Sequence, residues 1–156
     1  MFKISELEKA NIIAIDTETY DPRLKTHGPG GFRKDGKLVG ISLATDTNYN
    51  EYLPVGHQGG GNLNNSKVIA FMDAILKLNK PMVFANAIYD MEWLYSHDNR
   101  LDFNRYNKIY DIQGIEHLLD ENRLKYSLNN LARYYLKKSK YEVELEQAIQ
   151  LEFDKF

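Results

Sequence analysis

The sequence contains no cysteine among its 156 residues. Thiolate metal sites, disulfide bonds and thiol nucleophiles are therefore excluded. Long apolar runs are also lacking: the first ten residues are of mixed charge, unlike a signal peptide, and no later stretch is long enough to span a bilayer. We therefore expect a soluble protein of the cytoplasm.

Neither sign of charge dominates, because 20 lysines and arginines face 22 aspartates and glutamates, for a net charge of −2. This balance neither favours nor excludes a nucleic-acid partner, since bound cations offset the charge of acidic metal ligands. The chain is 43% hydrophobic, enough at this length for one core, and it has no internal repeat or low-complexity linker. We expect a single domain over residues 1–156.

Short apolar, β-branched runs predict strands mainly in the first half of the chain, and apolar residues at helical spacing predict helices after them. Strands are expected at 11–19, 37–45, 50–55, 81–86 and 107–112, and helices at 66–79, 87–95, 113–121 and 127–138, with Ser66 as the first helix cap. This order predicts an α/β fold: a mixed five-stranded sheet, three antiparallel strands followed by two parallel ones, flanked by helices.

Two acidic residues, Asp16 and Glu18, end the strand NIIAIDTET. Because successive side chains of a strand point to opposite faces, these two carboxylates share one face and Thr17 points to the other. Ionised neighbours repel unless a cation lies between them, so the pair suggests a hard divalent ion, Mg²⁺ or Mn²⁺, bound through oxygen. The alternative is that Asp16 caps a turn and Glu18 is solvated at a strand end.

A third acid, Asp90, follows the strand that ends at Asn86 and lies in the first turn of the next helix. If this strand runs parallel to and beside the first, Asp90 comes near Asp16 and Glu18. A third carboxylate can hold a second ion, and two ions about 3.5–4 Å apart stabilise the attacking and leaving oxygens of a phosphoryl displacement. An ordinary acid in a first helical turn is the alternative.

The segments AIDTETY, NAIYDMEWL and YSLNNLARYYL together resemble the DEDD superfamily of 3′–5′ exonucleases, most of all the proofreading domain of bacteriophage family A DNA polymerases. KLVGISLATD and YLPVGHQGGGNL resemble segments between that family's first two motifs. The resemblance implies an RNase H-like fold and a metal-dependent enzyme that hydrolyses the last phosphodiester of a single-stranded DNA 3′ end with two Mg²⁺ or Mn²⁺ ions. A phage protein of this kind would act in the cytoplasm of its bacterial host.

The resemblance also implies a role for individual residues. The catalytic and metal-binding residues would be Asp16, Glu18 and Asp90, and the nucleic-acid contacts would be Thr17, Tyr20, Asn86 and Tyr89, the last two at the terminal nucleotide. His57, within the family-like PVGH segment, is a candidate neighbour of the site. The expected partners are a single-stranded DNA 3′ end and a polymerase domain or another protein.

The family's third motif, Tyr-x-x-x-Asp or His-x-x-x-Asp, is not identified in this sequence. It would supply the fourth carboxylate and the residue that orients the attacking water. Asp154 is a poor substitute because Gln150, four positions earlier, replaces neither the phenol nor the imidazole. Asp111 and Asp120 have no motif support, and Asp111 is expected to end a strand. We therefore expect a domain shortened at its C-terminal end, with weak or no catalysis by this chain alone.

Two other functions share these motifs. An RNase H-like module that has lost catalysis would bind nucleic acid or a protein partner, and the unidentified fourth acid favours it. An RNase D-like exonuclease acting on RNA would carry the same acids. A shortened domain would also expose apolar surface, which favours contact with a protein partner or a second copy.

Overall fold

The computed structural model describes residues 2–103 and 108–138. Along them follow α1 Ile4–Lys9, β1 Ile13–Tyr20, α2 Leu24–His27, β2 Lys37–Thr45, β3 Asn50–Pro54, α3 Asn65–Lys77, β4 Met82–Phe84, α4 Ala87–His97, β5 Ile109–Asp111, α5 Ile112–Leu119 and α6 Leu128–Leu136. The chain divides into two compact units, Met1–Ile115 and Glu116–Phe156, and we describe each by itself.

The first unit holds a five-stranded sheet in the order β3-β2-β1-β4-β5. Strand β1 is antiparallel to β2, and β2 to β3, as short connections permit. Strand β4 is parallel to both β1 and β5, because the chain passes through a helix before each of the last two strands. The predicted α/β fold with a mixed sheet is confirmed.

The core of the first unit lies between the sheet and its helices. Alternate β1 residues such as Ile13 and Ile15 are buried, and they join buried residues of α3 and α4, among them Met72, Ile75 and Trp93. Burying one such apolar side chain contributes about 1.5–3 kcal/mol. The opposite face of β1 is more open, and this difference places the acidic residues of the strand at the surface.

Four local features differ from the sequence-based expectation. The short helices α1 and α2 were not predicted. Helix α3 begins at Asn65 and is capped by Asn64, whose side-chain oxygen accepts the N–H of Lys67 at 3.1 Å. The Ser66 cap is therefore wrong, because Asn64, two residues earlier, is the capping residue and Ser66 already lies in the first turn of the helix. Strand β4 ends at Phe84 and not at Asn86 as expected, because Asn86 has a left-handed backbone with φ of 75° that does not continue a strand.

The second unit, within its described residues, contains a buried ion pair. Glu116 is 4% exposed and accepts from an Arg123 guanidinium nitrogen at 2.7 Å and from the Tyr135 hydroxyl at 2.9 Å. Ser127 caps α6 by accepting the N–H of Asn130. None of the helices described in either unit is long and apolar enough to cross a membrane.

Candidate active site

The end of β1 carries two of the expected acids on its exposed side. Asp16 lies opposite Ser42 of β2, and Glu18 lies opposite Gly40. Both acidic residues are exposed, whereas Thr17 between them is buried. The pairing shifts by a residue directly after Glu18, and such bulges often bend a strand beside an active site. The two carboxylates therefore share the open face of the sheet.

Asp90 contacts the same strand from its other edge. Strand β1 pairs with β4 only at Ile13 and Ala14, so the part that carries the acids extends beyond its parallel neighbour. Helix α4 begins there, and Oδ1 of Asp90 accepts the Thr17 backbone N–H at 3.0 Å and the Thr17 hydroxyl at 2.6 Å. Asp90 thus supplies the hydrogen-bond partner that a longer β4 would have provided.

Burial and neighbouring charge both act on Asp90, which is 2% exposed. Burial, together with the charges of Asp16 and Asp111, raises the pKa of Asp90 to about 6, although the two hydrogen bonds from Thr17 act to lower it. Asp16 and Asp111 are therefore close enough for their charge to act on Asp90. A bound cation would offset this repulsion and favour the ionised form.

The carboxylates fit a hard divalent ion by their chemistry, since Mg²⁺ and Mn²⁺ prefer oxygen ligands. Within residues 2–103 and 108–138, however, no three His, Asp or Glu side chains are already grouped to hold an ion. Oδ1 of Asp90 faces Thr17, while Asp16 and Glu18 lie on the open face. The oxygen donors of Asp16 and Glu18 suit such an ion chemically, and metal ligation by Asp16, Glu18 and Asp90 stays a prediction.

Asp111 holds the start of α4 in place. Its Oδ1 accepts the N–H groups of Asn86 and Gln113, each at 3.0 Å, and its Oδ2 accepts that of Ala87 at 3.1 Å. Asp111 ends β5, as predicted, and satisfies backbone donors that the helix start leaves unpaired. This capping role was not predicted, because the acid lies 25 residues after Asn86 in the chain.

The expected nucleic-acid contacts have different surroundings. The Tyr89 hydroxyl forms a hydrogen bond with Thr19 at 2.6 Å, and Tyr20 is 54% exposed. The Asn86 side chain is exposed and makes no capping bond to α4. The Thr17 side chain, by contrast, is bound to Asp90. All four assignments stay predictions.

The three acids considered for the fourth ligand differ in where they lie and in what they bind. Asp111 uses both its carboxylate oxygens for backbone N–H groups of the first unit. Asp120 belongs to the second unit and accepts the N–H of Asn122 at 3.2 Å. Asp154 lies outside the described residues, as does Gln150. The identity of a fourth carboxylate stays open among the residues that the structure describes.

One residue near the site, Tyr52, was not predicted from the sequence. Tyr52 of β3 is paired with Ser42, which is itself paired with Asp16, so all three belong to the same face of the sheet. The hydroxyl of Tyr52 lies 2.6 Å from Nε2 of His57, the residue expected near the site. The only sequence signal was the alternation of β3, which does not distinguish a site residue from an exposed tyrosine.

The profile of the 3′–5′ exonuclease family matches residues 3–152. The chain belongs to this family. The exonuclease domain is 38% identical over 127 residues to a DNA-directed DNA polymerase of Pseudomonas phage M6, a match that covers 80% of this chain and 19% of the polymerase. It thus spans about a fifth of the length of that relative. The resemblance to polymerase exonucleases is confirmed.

Solved structures share the fold of this exonuclease domain. The EXO domain of Aedes aegypti Nibbler matches with a TM-score of 0.60 and 17% identity, over 87% of this chain and 63% of that one. Brucella melitensis NrnC with bound Mg²⁺ matches with a TM-score of 0.56 and 12% identity, over 86% of this chain and 58% of that one. At these identities the likeness establishes the fold alone, and the expected RNase H-like architecture is confirmed.

Proposed function

We propose that this exonuclease domain removes nucleotides from a DNA 3′ end in a proofreading role, with Mg²⁺ or Mn²⁺ as cofactor. The observation that carries the proposal is the pair Asp16 and Glu18 on one open face, with buried Asp90 bonded to the residue between them. The phage polymerase relative favours DNA over RNA. The same relative supports a polymerase domain as the partner.

The residues of the first unit would have different roles in the reaction. Asp16 and Glu18 would hold the metal, with Asp90 as the third carboxylate. When bound, the ions would make water nucleophilic near neutral pH and stabilise the charge that develops on the phosphate. Thr17 keeps Asp90 against β1, the strand that carries the other two acids.

The start of α4 is where the terminal nucleotide would bind. Asn86 projects there from a left-handed backbone, and its main-chain N–H is already bound by Asp111. Tyr89 lies one turn further, with its hydroxyl on Thr19. A nucleotide held by Asn86 and Tyr89 would place its phosphodiester near the acids of β1, because Asp90 of the same helix contacts that strand.

The test is digestion of a single-stranded DNA oligonucleotide labelled at its 5′ end, with Mn²⁺, Mg²⁺ or a chelator. The wild type should slowly produce a ladder shortened one nucleotide at a time from the 3′ end, in agreement with the weak catalysis expected of this chain alone. The isosteric variant Asp16→Asn/Glu18→Gln should lose about 100-fold or more in rate, because poorly placed reacting groups cost at least that much. An oligonucleotide with a phosphate on its 3′ end provides the substrate control, because it tests whether digestion begins at that end. Cleavage at internal positions would overturn the proposal.

An RNA oligonucleotide of the same sequence separates the two substrate classes. Faster digestion of RNA than of DNA would replace the proofreading role by an RNA exonuclease role. Digestion of RNA and DNA at equal rates would support the metal site but would not support the assignment of DNA as the substrate.

A second candidate function is a module that binds nucleic acid without cleaving it. It is favoured by the lack of a ready-made cluster of three acids within the described residues. Fluorescence anisotropy of a labelled DNA 3′ end, with and without Mn²⁺, distinguishes this case. Metal-dependent binding without any shortened product would support the binding module against the enzyme.

A further inference from the structure

The Tyr52 phenol lies directly over Gly40 on the open face of the sheet. A Cβ added to Gly40 would stand 2.0 Å from the Tyr52 hydroxyl oxygen and 2.3 Å from the ring carbon that bears it. The phenol therefore occupies space that only a residue without a side chain leaves open. Because Gly40 is the register partner of Glu18, the phenol is brought beside that acid.

Electrostatics agree with this placement. Burial raises the pKa of the Tyr52 hydroxyl, and the nearby charge of Glu18 raises it further. The charge of Glu18 therefore acts on the phenol, in agreement with the placement through Gly40. Both the register through Gly40 and the effect of charge thus associate Tyr52 with a residue of the proposed metal site.

His57 fixes the phenol from the other side. Its Nε2 lies 2.6 Å from the Tyr52 hydroxyl, and the two rings meet edge to face with centroids 5.7 Å apart. The Asn62 side chain holds the His57 backbone at two points, accepting its N–H and donating to its carbonyl, each at 2.8 Å. The glycine-rich loop after β3 is therefore anchored where it presents His57 to Tyr52.

A phenol both donates and accepts a hydrogen bond. If Nε2 of His57 carries the proton and donates to the phenol oxygen, the hydroxyl hydrogen is directed to another acceptor. Glu18 is the carboxylate of the proposed site that the pairing with Gly40 places on the same face as the phenol. A carboxylate that binds metal is commonly oriented by such a hydrogen bond, and loss of the bond typically weakens metal affinity about 10–100-fold.

We propose that Tyr52 is a positioning residue for Glu18, whose carboxylate it orients for metal binding through its hydroxyl, and that His57 acts through Tyr52 by holding the phenol. This inference rests on the proposed function, because it assumes that Glu18 binds the metal. It adds two residues of β3 and its following loop to a site otherwise formed by β1 and α4.

The first experiment is Tyr52→Phe, which removes the hydroxyl and keeps the ring over Gly40. Calorimetric titration with Mn²⁺ should show affinity about tenfold or more below that of the wild type. On single-stranded DNA we expect kcat to fall while KM is retained. The matched control is Tyr49→Phe, since Tyr49 belongs to the same hairpin and its hydroxyl also contacts a carboxylate, that of Glu51. This control should bind Mn²⁺ as the wild type does.

The second experiment tests whether His57 acts through Tyr52. His57→Ala should weaken Mn²⁺ binding less than Tyr52→Phe does, because the hydroxyl remains but is no longer held. His57→Gln should restore part of the affinity, since its amide can donate to the phenol. The double variant Tyr52→Phe/His57→Ala should be no weaker than Tyr52→Phe alone, because residues that act in series are not additive. Additive losses would overturn the proposed linkage.

The outcomes separate this inference from the proposed function. If the wild type binds Mn²⁺, Asp16→Asn/Glu18→Gln does not, and Tyr52→Phe equals the wild type, the role of Tyr52 is overturned and the metal site stands. Equal weakening by Tyr52→Phe and Tyr49→Phe would also overturn it, as a general effect on the hairpin. If the wild type itself binds no Mn²⁺, the proposed function fails and the inference fails with it.

Discussion

Asp90 is buried and lies near other negatively charged side chains. Its substitution by asparagine removes the negative charge but keeps the shape of the side chain. The raised pKa of about 6, against 3.8 for a free side chain, means that the folded protein favours the neutral acid. Stability from this source is complete below pH 3.8 and is lost as the pH rises through 6. A shift of about two pKa units corresponds to about 3 kcal/mol, and we expect about 1–2 kcal/mol because structural relaxation lowers the cost of a buried charge in real proteins.

We therefore predict that Asp90→Asn is more stable than the metal-free wild type at pH 7 by about 1–2 kcal/mol, since the amide oxygen can accept both bonds from Thr17. Urea unfolding in a chelator at pH 4, 5, 6 and 7 measures this difference. The wild type should lose stability over that range relative to the variant. Parallel curves would show that Asp90 titrates without affecting the fold.

Asp46 provides a control whose contribution to stability changes with pH in the opposite direction to that of Asp90. The Asn11 side chain and backbone hold the pKa of the Asp46 carboxyl below its usual value. Its stabilising contribution is therefore present at neutral pH and lost as the pH falls, the reverse of Asp90. Asp46→Asn should lower stability slightly at pH 7 and should leave Mn²⁺ binding unchanged.

At the scale of elements, α4 links the fold to the site, because it starts at the cap formed by Asp111 and carries Asp90. Asp111→Ala removes the acceptor of three backbone N–H groups. We expect a loss of about 1–2 kcal/mol in unfolding free energy, as for other helix caps. We also expect weaker Mn²⁺ binding, since the freed helix start no longer fixes Asp90 against β1.

The control for this prediction is Asn64→Ala, which removes the cap of α3 and its bond to Lys67. Both variants should unfold at lower urea concentration, but only Asp111→Ala should bind Mn²⁺ less tightly. Equal metal affinity in the two variants would show that α4 keeps its position without Asp111.

The sequence predicts those elements whose signal is local. Periodicity predicts α3 and α4, and the apolar run before Asp16 predicts the buried part of β1. The helix α2 has four residues and no apolar stripe, so no periodic signal exists for it. The cap by Asp111 and the placement of Tyr52 over Gly40 both join residues distant in sequence. Each depends on strand register, which the sequence pattern does not specify.

At the scale of the whole molecule, the acids of the site make stability depend on metal. Asp16 raises the pKa of Asp90 through its charge, and Glu18 shares the face of Asp16, so the metal-free protein holds acids close together. An ion that binds only the folded chain stabilises it by mass action, by about 2.7 kcal/mol at a concentration 100 times its dissociation constant. For a chain of this size that corresponds to roughly 5–10 °C in Tm.

We predict that millimolar Mn²⁺ or Mg²⁺ raises the Tm of the wild type by several degrees, whereas Asp16→Asn has a higher Tm than the wild type in chelator and gains nothing from metal. Differential scanning calorimetry across a Mn²⁺ series measures both effects. Asp73→Asn is the matched control, because Asp73 is an acid of α3 whose partner is Lys77 at 2.6 Å. It should keep the full response to metal, since removing its charge leaves the acids of β1 and α4 unchanged. A wild-type Tm that does not change with Mn²⁺, or an equal response in Asp16→Asn, would contradict the assignment of the metal to these carboxylates.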